Sequence, residues 1–190
     1  MSKLEELINK LCPNGIEYKK LKNCSIMQRG TSMTKSQANV GDYPVISGGK
    51  EPAFYCDKYN REKECITVAG SGAGAGYVQY WNSKIYANDC FTISSDNNCV
   101  KYLYYFLTSV QEKIYETKKG SGVPHVHISD IENFEVPIPP LLIQEEIVRI
   151  LDNFTELTAE LIVELTAELE NRKKQYEYYR DKLLTFKRIN

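Results

Sequence analysis

Pro137-Ile138-Pro139-Pro140-Leu141-Leu142-Ile143-Gln144-Glu145-Glu146-Ile147-Val148-Arg149-Ile150-Leu151-Asp152 opens the last third of the chain with a proline stop, after which about 46 residues contain no helix breaker. Apolar residues recur three or four apart at Ile147, Ile150, Leu151, Phe154, Leu157, Leu161, Leu165, Leu169, Tyr176, Tyr179, Leu183 and Phe186. This spacing lines one face of a helix. At about 1.5 Å per residue, a helix from Gln144 to Ile189 reaches roughly 70 Å, more than twice the radius-of-gyration scale of the residues before it. The sequence therefore predicts a projecting rod, residues 141–190, whose stripe from Phe154 to Leu183 needs a partner surface on another molecule.

Charge along the rod is polarised. Eight acids stand against Arg149 alone between Gln144 and Glu170, net −7, while seven bases stand against Glu177 and Asp181 from Asn171 to Asn190, net +5. Such a gradient suits the helix dipole, which is one reading. Self-pairing is the other: two copies laid antiparallel set each acidic half against a basic half, whereas a parallel pair sets like against like. An antiparallel homodimer is expected, with docking on a different protein as the rival.

The first 140 residues carry enough apolar content for one ordinary domain. After an amphipathic first helix over Met1 to Lys10, Tyr18 to Met27 reads as extended or helical, and Thr31 to Gly49 as a loop ending in the edge strand Tyr43-Pro44-Val45-Ile46. Cys65 to Ala69, Tyr77 to Trp81, Lys84 to Ala87 and Cys90 to Ile93 are four short β-prone runs, the pattern of an antiparallel sheet. Val100 to Thr117 has helical spacing, Lys118 to Ser129 reads as a loop, and Phe134 to Ile138 as a last strand. The expected class is α+β: a small mixed or antiparallel sheet with flanking helices, followed by the rod. The amino terminus has no apolar run of signal or membrane length, so a cytoplasmic location without membrane attachment is expected. The six cysteines form no C-x-x-C pair and are expected to be reduced and buried, with no metal.

Few chemistries leave marks here. Gly70-Ser71-Gly72-Ala73-Gly74-Ala75-Gly76 fails the dinucleotide pattern and precedes a strand, and Gly48-Gly49-Lys50-Glu51 lacks the hydroxyl residue of a phosphate loop. Glu17-Tyr18-Lys19 offers only the E-x-K fragment of metal-dependent nucleases, which keeps a stand-alone nuclease as the alternative function. No catalytic residue is assigned. The glycine stretch can serve as a mobile loop that approaches a DNA backbone or as a plain hairpin connection. Lys118 to His127 gathers two lysines, Ser121 and both histidines, a plausible groove-reading or phosphate-holding loop, or else a solvated helix end. The candidate DNA contacts are Lys35, Lys50, Ser71, Gly72, Lys118, Lys119, Ser121 and His125, whose other role would be surface solubility. With 16 bases and 15 acids before the rod, unaided affinity for DNA is expected to be weak.

The stretch from Pro137 to Asp152, together with Arg172-Lys173-Lys174-Gln175-Tyr176-Glu177-Tyr178-Tyr179-Arg180-Asp181-Lys182-Leu183-Leu184-Thr185-Phe186, resembles the specificity subunit of type I restriction-modification systems. Pro13 to Leu21 with Gly30, and Gly122-Val123-Pro124-His125-Val126 before Asp130-Ile131, resemble the borders of that family's target-recognition domain. The family pairs two recognition domains through two long antiparallel helices, each domain reading half of a split target. One domain and one helix look like half of that plan. The resemblance implies a homodimer on double-stranded DNA reading a palindromic split site, its halves one to two helical turns apart, about 34 to 36 Å per turn. It also implies methyltransferase and restriction subunits as partners, with S-adenosylmethionine, ATP and magnesium bound by those chains and none by this one.

Overall fold

The computed structural model describes residues 2–186 and divides into two compact units that meet between Val148 and Arg149. The expectations placed on Lys187, Arg188 and Ile189 lie outside the described residues.

The first unit begins with α1 (Lys3–Leu11), started by a reciprocal cap in which the Ser2 hydroxyl accepts from the Glu5 N–H at 3.3 Å and the Glu5 carboxylate accepts from the Ser2 N–H at 2.7 Å. The ambiguous stretch that follows is both things the sequence allowed: β1 (Tyr18–Lys20), α2 (Leu21–Cys24) and β2 (Ile26–Arg29). β2 flanks a four-stranded antiparallel sheet completed by β5 (Cys65–Ala69), β6 (Val78–Trp81) and β8 (Cys90–Ser94), in the order β2-β8-β5-β6.

β5 and β8 are covered on both faces, and their alternation shows how. Ile66 and Val68 of β5, with Phe91 and Ile93 of β8, enter the main core beside Leu103 and Leu107. Cys65 and Cys90 point to the other face and pack with Ile46, Ile85 and Ala87. That second face carries a hydrogen-bonded seam as well: Trp81 Nε1 donates to Thr67 Oγ1 at 3.0 Å, and Arg61 Nε donates to Thr92 Oγ1 at 2.7 Å. Two threonines paired across β5 and β8 are thus buried and satisfied.

A three-stranded sheet of β3 (Tyr43–Ile46), β4 (Phe54–Cys56) and β7 (Tyr86–Ala87) supplies Ile46 and Ala87 to the second core. Two expectations change here. β3 is the central strand, not an edge, because Pro44 stays outside its two-residue pairing with β7 and so removes no needed N–H. The run Lys84 to Ala87 leaves the antiparallel sheet and pairs parallel to β3 instead. The helical stretch after β8 is broken into α3 (Val100–Ser109) and α4 (Gln111–Glu116). The Gln111 amide accounts for the break: it accepts from Val78 N–H at 3.2 Å and donates to the Gly76 carbonyl at 2.8 Å, tying the start of α4 to β6. After α5 (Ile128–Ile131), β9 (Glu135–Pro137) returns to pair with β1.

The last helix, α6 (Leu141–Leu184), starts directly after the double proline and runs 44 residues, about 66 Å at the usual rise. Its first two turns belong to the first unit's core. Ile143 is fully buried, Ile147 and Val148 pack on the main cluster, and the Gln144 amide accepts from Cys99 N–H at 2.9 Å while donating to Asn98 Oδ1 and the Pro139 carbonyl. Glu146 is buried as well and takes the Lys3 ammonium at 2.8 Å. Ile147 and Glu146 therefore leave the stripe and charge pattern assigned to the rod.

In the second unit every described residue from Asn153 to Phe186 is exposed, including Phe154, Leu157, Leu161, Leu165, Leu169, Tyr176, Tyr179 and Leu183. The charge division persists among its described residues: six acids against Arg149 up to Glu170, net −5, then five bases against two acids, net +3. Among the described residues no helix is long and apolar enough to cross a membrane. Cys24, Cys56, Cys65 and Cys90 are buried thiols, whereas Cys12 and Cys99 are half-buried; all six are free.

Candidate nucleic-acid interface

The connections that leave the central sheet at the carboxy-terminal end of β5 are stitched to one another by backbone. Ser71 forms a β-bridge with His125, Gly72 N–H donates to the Pro124 carbonyl at 3.0 Å, and Val126 N–H donates to the Gly70 carbonyl at 3.0 Å. His125 also bridges Lys119 with two hydrogen bonds, 2.8 and 3.0 Å, closing a small hairpin over residues 119–125. The other side of the glycine stretch meets Gly48: a Cβ on Gly74 would come within 2.0 Å of the Gly48 carbonyl oxygen, and one on Gly48 within 2.3 Å of the Ser71 oxygen. Glycine is required at these two positions because the two stretches of main chain, at 48–49 and 71–74, pass closer than any side chain permits. The loop expected to be mobile is instead pinned on both sides.

This stitching brings together Lys50, Ser71, Gly72, Lys119 and His125 from positions up to 75 residues apart in sequence. The Lys50 carbonyl accepts from Gln79 Nε2, and its ammonium lies 5.3 Å from the Tyr77 ring centre. Lys118 follows α4 and lays its ammonium 4.0 Å over the Tyr115 ring. Ser121 is exposed in the small hairpin. Lys35 is not part of the cluster; it begins a 3-10 turn, Lys35–Gln37, on the strap between β2 and β3.

Lys119 has a structural duty that its sequence position did not reveal. Its ammonium binds the Asp130 carboxylate, whose second oxygen accepts from the His127 N–H at 2.9 Å. Burial alone would raise the Asp130 pKa, but these partners outweigh it and hold the carboxyl below its ordinary range. The hairpin is thereby fastened to α5.

Three polar residues beside the cluster lay outside the sequence candidates, Arg29, Asn88 and Asp89, and His127 belonged to the candidate loop without being chosen as a contact. Arg29 Nη2 lies 3.1 Å from His127 Nδ1, and the rings of His125 and His127 stack with centres 6.0 Å apart. Asp89 accepts from the Ser71 hydroxyl. Asn88 anchors the strap, accepting from Met33 N–H at 2.9 Å and donating to the Met33 carbonyl at 3.1 Å. Glu17 of the E-x-K fragment pairs with Lys19 at 3.2 Å on the surface, and no group of three or more His, Cys, Asp or Glu side chains among the described residues is placed to hold a metal ion. Among the described residues no such group forms around Glu17, and the nuclease alternative gains no support.

The fold matches part of solved S subunits of type I restriction-modification systems. The crystal structure of the S subunit from Mycoplasma genitalium superposes with a TM-score of 0.67 at 25% identity, covering 90% of this chain and 46% of that one. The sequence agrees: the model of the type I restriction modification DNA specificity domain matches residues 13–171, and the chain belongs to that family. Among its relatives, the EcoR124I/EcoR124II specificity subunit of Escherichia coli is 44% identical over 115 residues, 56% of this chain and 26% of its own length. The MpnII specificity subunit of Mycoplasma pneumoniae is 30% identical over 195 residues, 96% of this chain and 57% of its own length. The chain thus spans from a quarter to somewhat over half the length of these relatives.

Proposed function

We propose that this chain is the DNA sequence-recognition component of a type I restriction-modification complex, that it contacts double-stranded DNA through the stitched loops at residues 48–50, 70–76 and 118–127, and that it carries no catalytic step itself. The observation that supports this best is the continuous family match from Pro13 to Asn171, which takes in both the loop-bearing body and much of α6. The near balance of acids and bases before the helix fits a reader that borrows affinity from partner subunits. Those partners would be methyltransferase and restriction chains, which would bring S-adenosylmethionine, ATP and magnesium.

The exposed stripe from Phe154 to Leu183 supports a homodimer as part of the same reading. An antiparallel pair covers the stripe with its own copy and, counting the described residues, sets net −5 against net +3 twice over, a charge complementarity that a parallel pair lacks. Identical recognition bodies then read a palindromic, interrupted sequence. Reconstitution with the methyltransferase subunit, followed by mapping of methylated positions, is the test. A palindromic split motif is expected; a continuous or asymmetric motif would refute the symmetric pair, and the absence of any motif would refute DNA recognition.

A further inference from the structure

A cleft of about 330 Å³ opens beside the stitched loops, between the end of β2, the turn that joins β7 to β8, and the 125–127 segment. Its wall combines a guanidinium from Arg29 with a carboxylate from Asp89. Both stand on main chain that is held tightly. The Arg29 carbonyl accepts from Arg61 Nη2 at 2.7 Å, and the next residue, Gly30, donates its N–H to the Cys90 carbonyl at 2.8 Å. A Cβ on Gly30 would lie 2.2 Å from the Asn88 carbonyl oxygen, so the chain beneath Arg29 has no room to shift. The Asp89 carbonyl accepts from Gly70 N–H at 3.0 Å.

The side chains are oriented too. An arginine can only donate, so in its contact with His127 the guanidinium is the donor. One of the five guanidinium N–H groups is used in this way, and Arg29 Nη1 and Nε make no hydrogen bond among the described residues. On Asp89, one carboxylate oxygen accepts from Ser71 and the other lies beside Gly70, itself part of the cleft wall.

Arginine alone would suit either a phosphate or a guanine. Asp89 decides between them, because a fixed carboxylate repels a phosphate but accepts from the exocyclic amine of cytosine. In the major groove a G·C pair offers guanine N7 and O6 as acceptors and cytosine N4 as donor, the complement of this wall. We propose that Arg29 and Asp89 are specificity-determining residues that read one G·C pair in each half of the target, Arg29 on the guanine and Asp89 on the cytosine. This inference rests on the DNA-recognition function proposed above.

The test maps methylation by the reconstituted complex containing wild-type chain, Arg29→Ala, Arg29→Lys, Asp89→Asn or Lys50→Ala. The wild-type motif should contain a G·C pair at which Arg29→Ala loses discrimination by about 5- to 150-fold, the range of one bidentate base contact. Arg29→Lys should fail to restore it, since lysine keeps the charge but loses the fork. Asp89→Asn should relax the same pair, while Lys50→Ala lowers methylation evenly and preserves the motif. Motifs unchanged in the Arg29 and Asp89 variants, or full rescue by Arg29→Lys, would overturn the inference while leaving DNA recognition standing. A wild-type complex that methylates no defined motif would overturn the underlying function instead. Arg29 and Asp89 are exposed, and thermal melts matching wild type would separate lost reading from lost folding.

Discussion

Two regions of this chain use the same apolar residue types to opposite ends. Every buried apolar side chain described lies between Leu21 and Ile143, whereas the leucines, tyrosines and phenylalanine from Phe154 to Leu183 are all exposed. The body closes its surfaces on itself through two cores on either side of β5 and β8. The rod has one apolar stripe and nothing of its own to set against it. Burial of a leucine contributes about 1.5 to 3 kcal/mol, so in the body this energy holds the fold, and along the described rod it is not realised.

The sharpest way to break that contrast is to place charge on the stripe. Leu161→Asp with Leu165→Asp should turn a dimer into a monomer at tens of micromolar by light scattering. Four leucines lost from a symmetric interface amount to roughly 6 to 12 kcal/mol, four orders of magnitude or more in the association constant. A dimer that survives would show that the pair forms elsewhere. Next in size, Leu107→Ala in the main core should cost about 2 to 5 kcal/mol in denaturant unfolding of the body while leaving the oligomeric state intact. Gly30→Ala should cost about 1 to 3 kcal/mol, because its methyl would collide with three carbonyl oxygens under Arg29.

Two pH responses should be smaller and confined to the body. Burial pushes the Cys90 thiol up to about 12 and the Cys65 thiol up to about 11, so the fold favours their neutral forms. That contribution is complete below the ordinary thiol pKa of about 8.5 to 9 and is lost as pH rises through 11 to 12. Urea midpoints should therefore fall between pH 8 and pH 11, and less so in Cys90→Ala. At the other end, the depressed Asp130 carboxyl stabilises the fold above the ordinary carboxylate range, and this is lost as pH drops through its folded value. Asp130→Asn should flatten the acid limb below about pH 4, an effect kept small by the exposure of Lys119.

The rod was legible because helical spacing repeats along it, and each repeat reinforces the same period. The central sheet was partly legible: three of the four β-prone runs pair as their alternation suggested. The fourth, around Tyr86, left its neighbours for a two-residue parallel pairing with β3, about 40 residues away, and so short a pairing leaves no periodic trace. Two of the loops chosen from their glycines and lysines are drawn together by the Ser71 to His125 bridge and the Lys50 loop by the approach of Gly48, while Lys35 stays on its separate turn. Arg29 and Asp89 escaped notice because their neighbourhood is created by register. Arg29 sits opposite Phe91, two residues beyond Asp89, only once β2 and β8 have paired.

The first turns of α6 carry a consequence for the order of events in making this protein. Starting a helix is the costly step, since several residues must be fixed before the first hydrogen bond is gained, whereas lengthening an existing helix is nearly neutral. Here the Gln144 amide and the buried Ile143 perform that start inside a finished core. The remaining ten or so turns can then grow from a template that folding has already made.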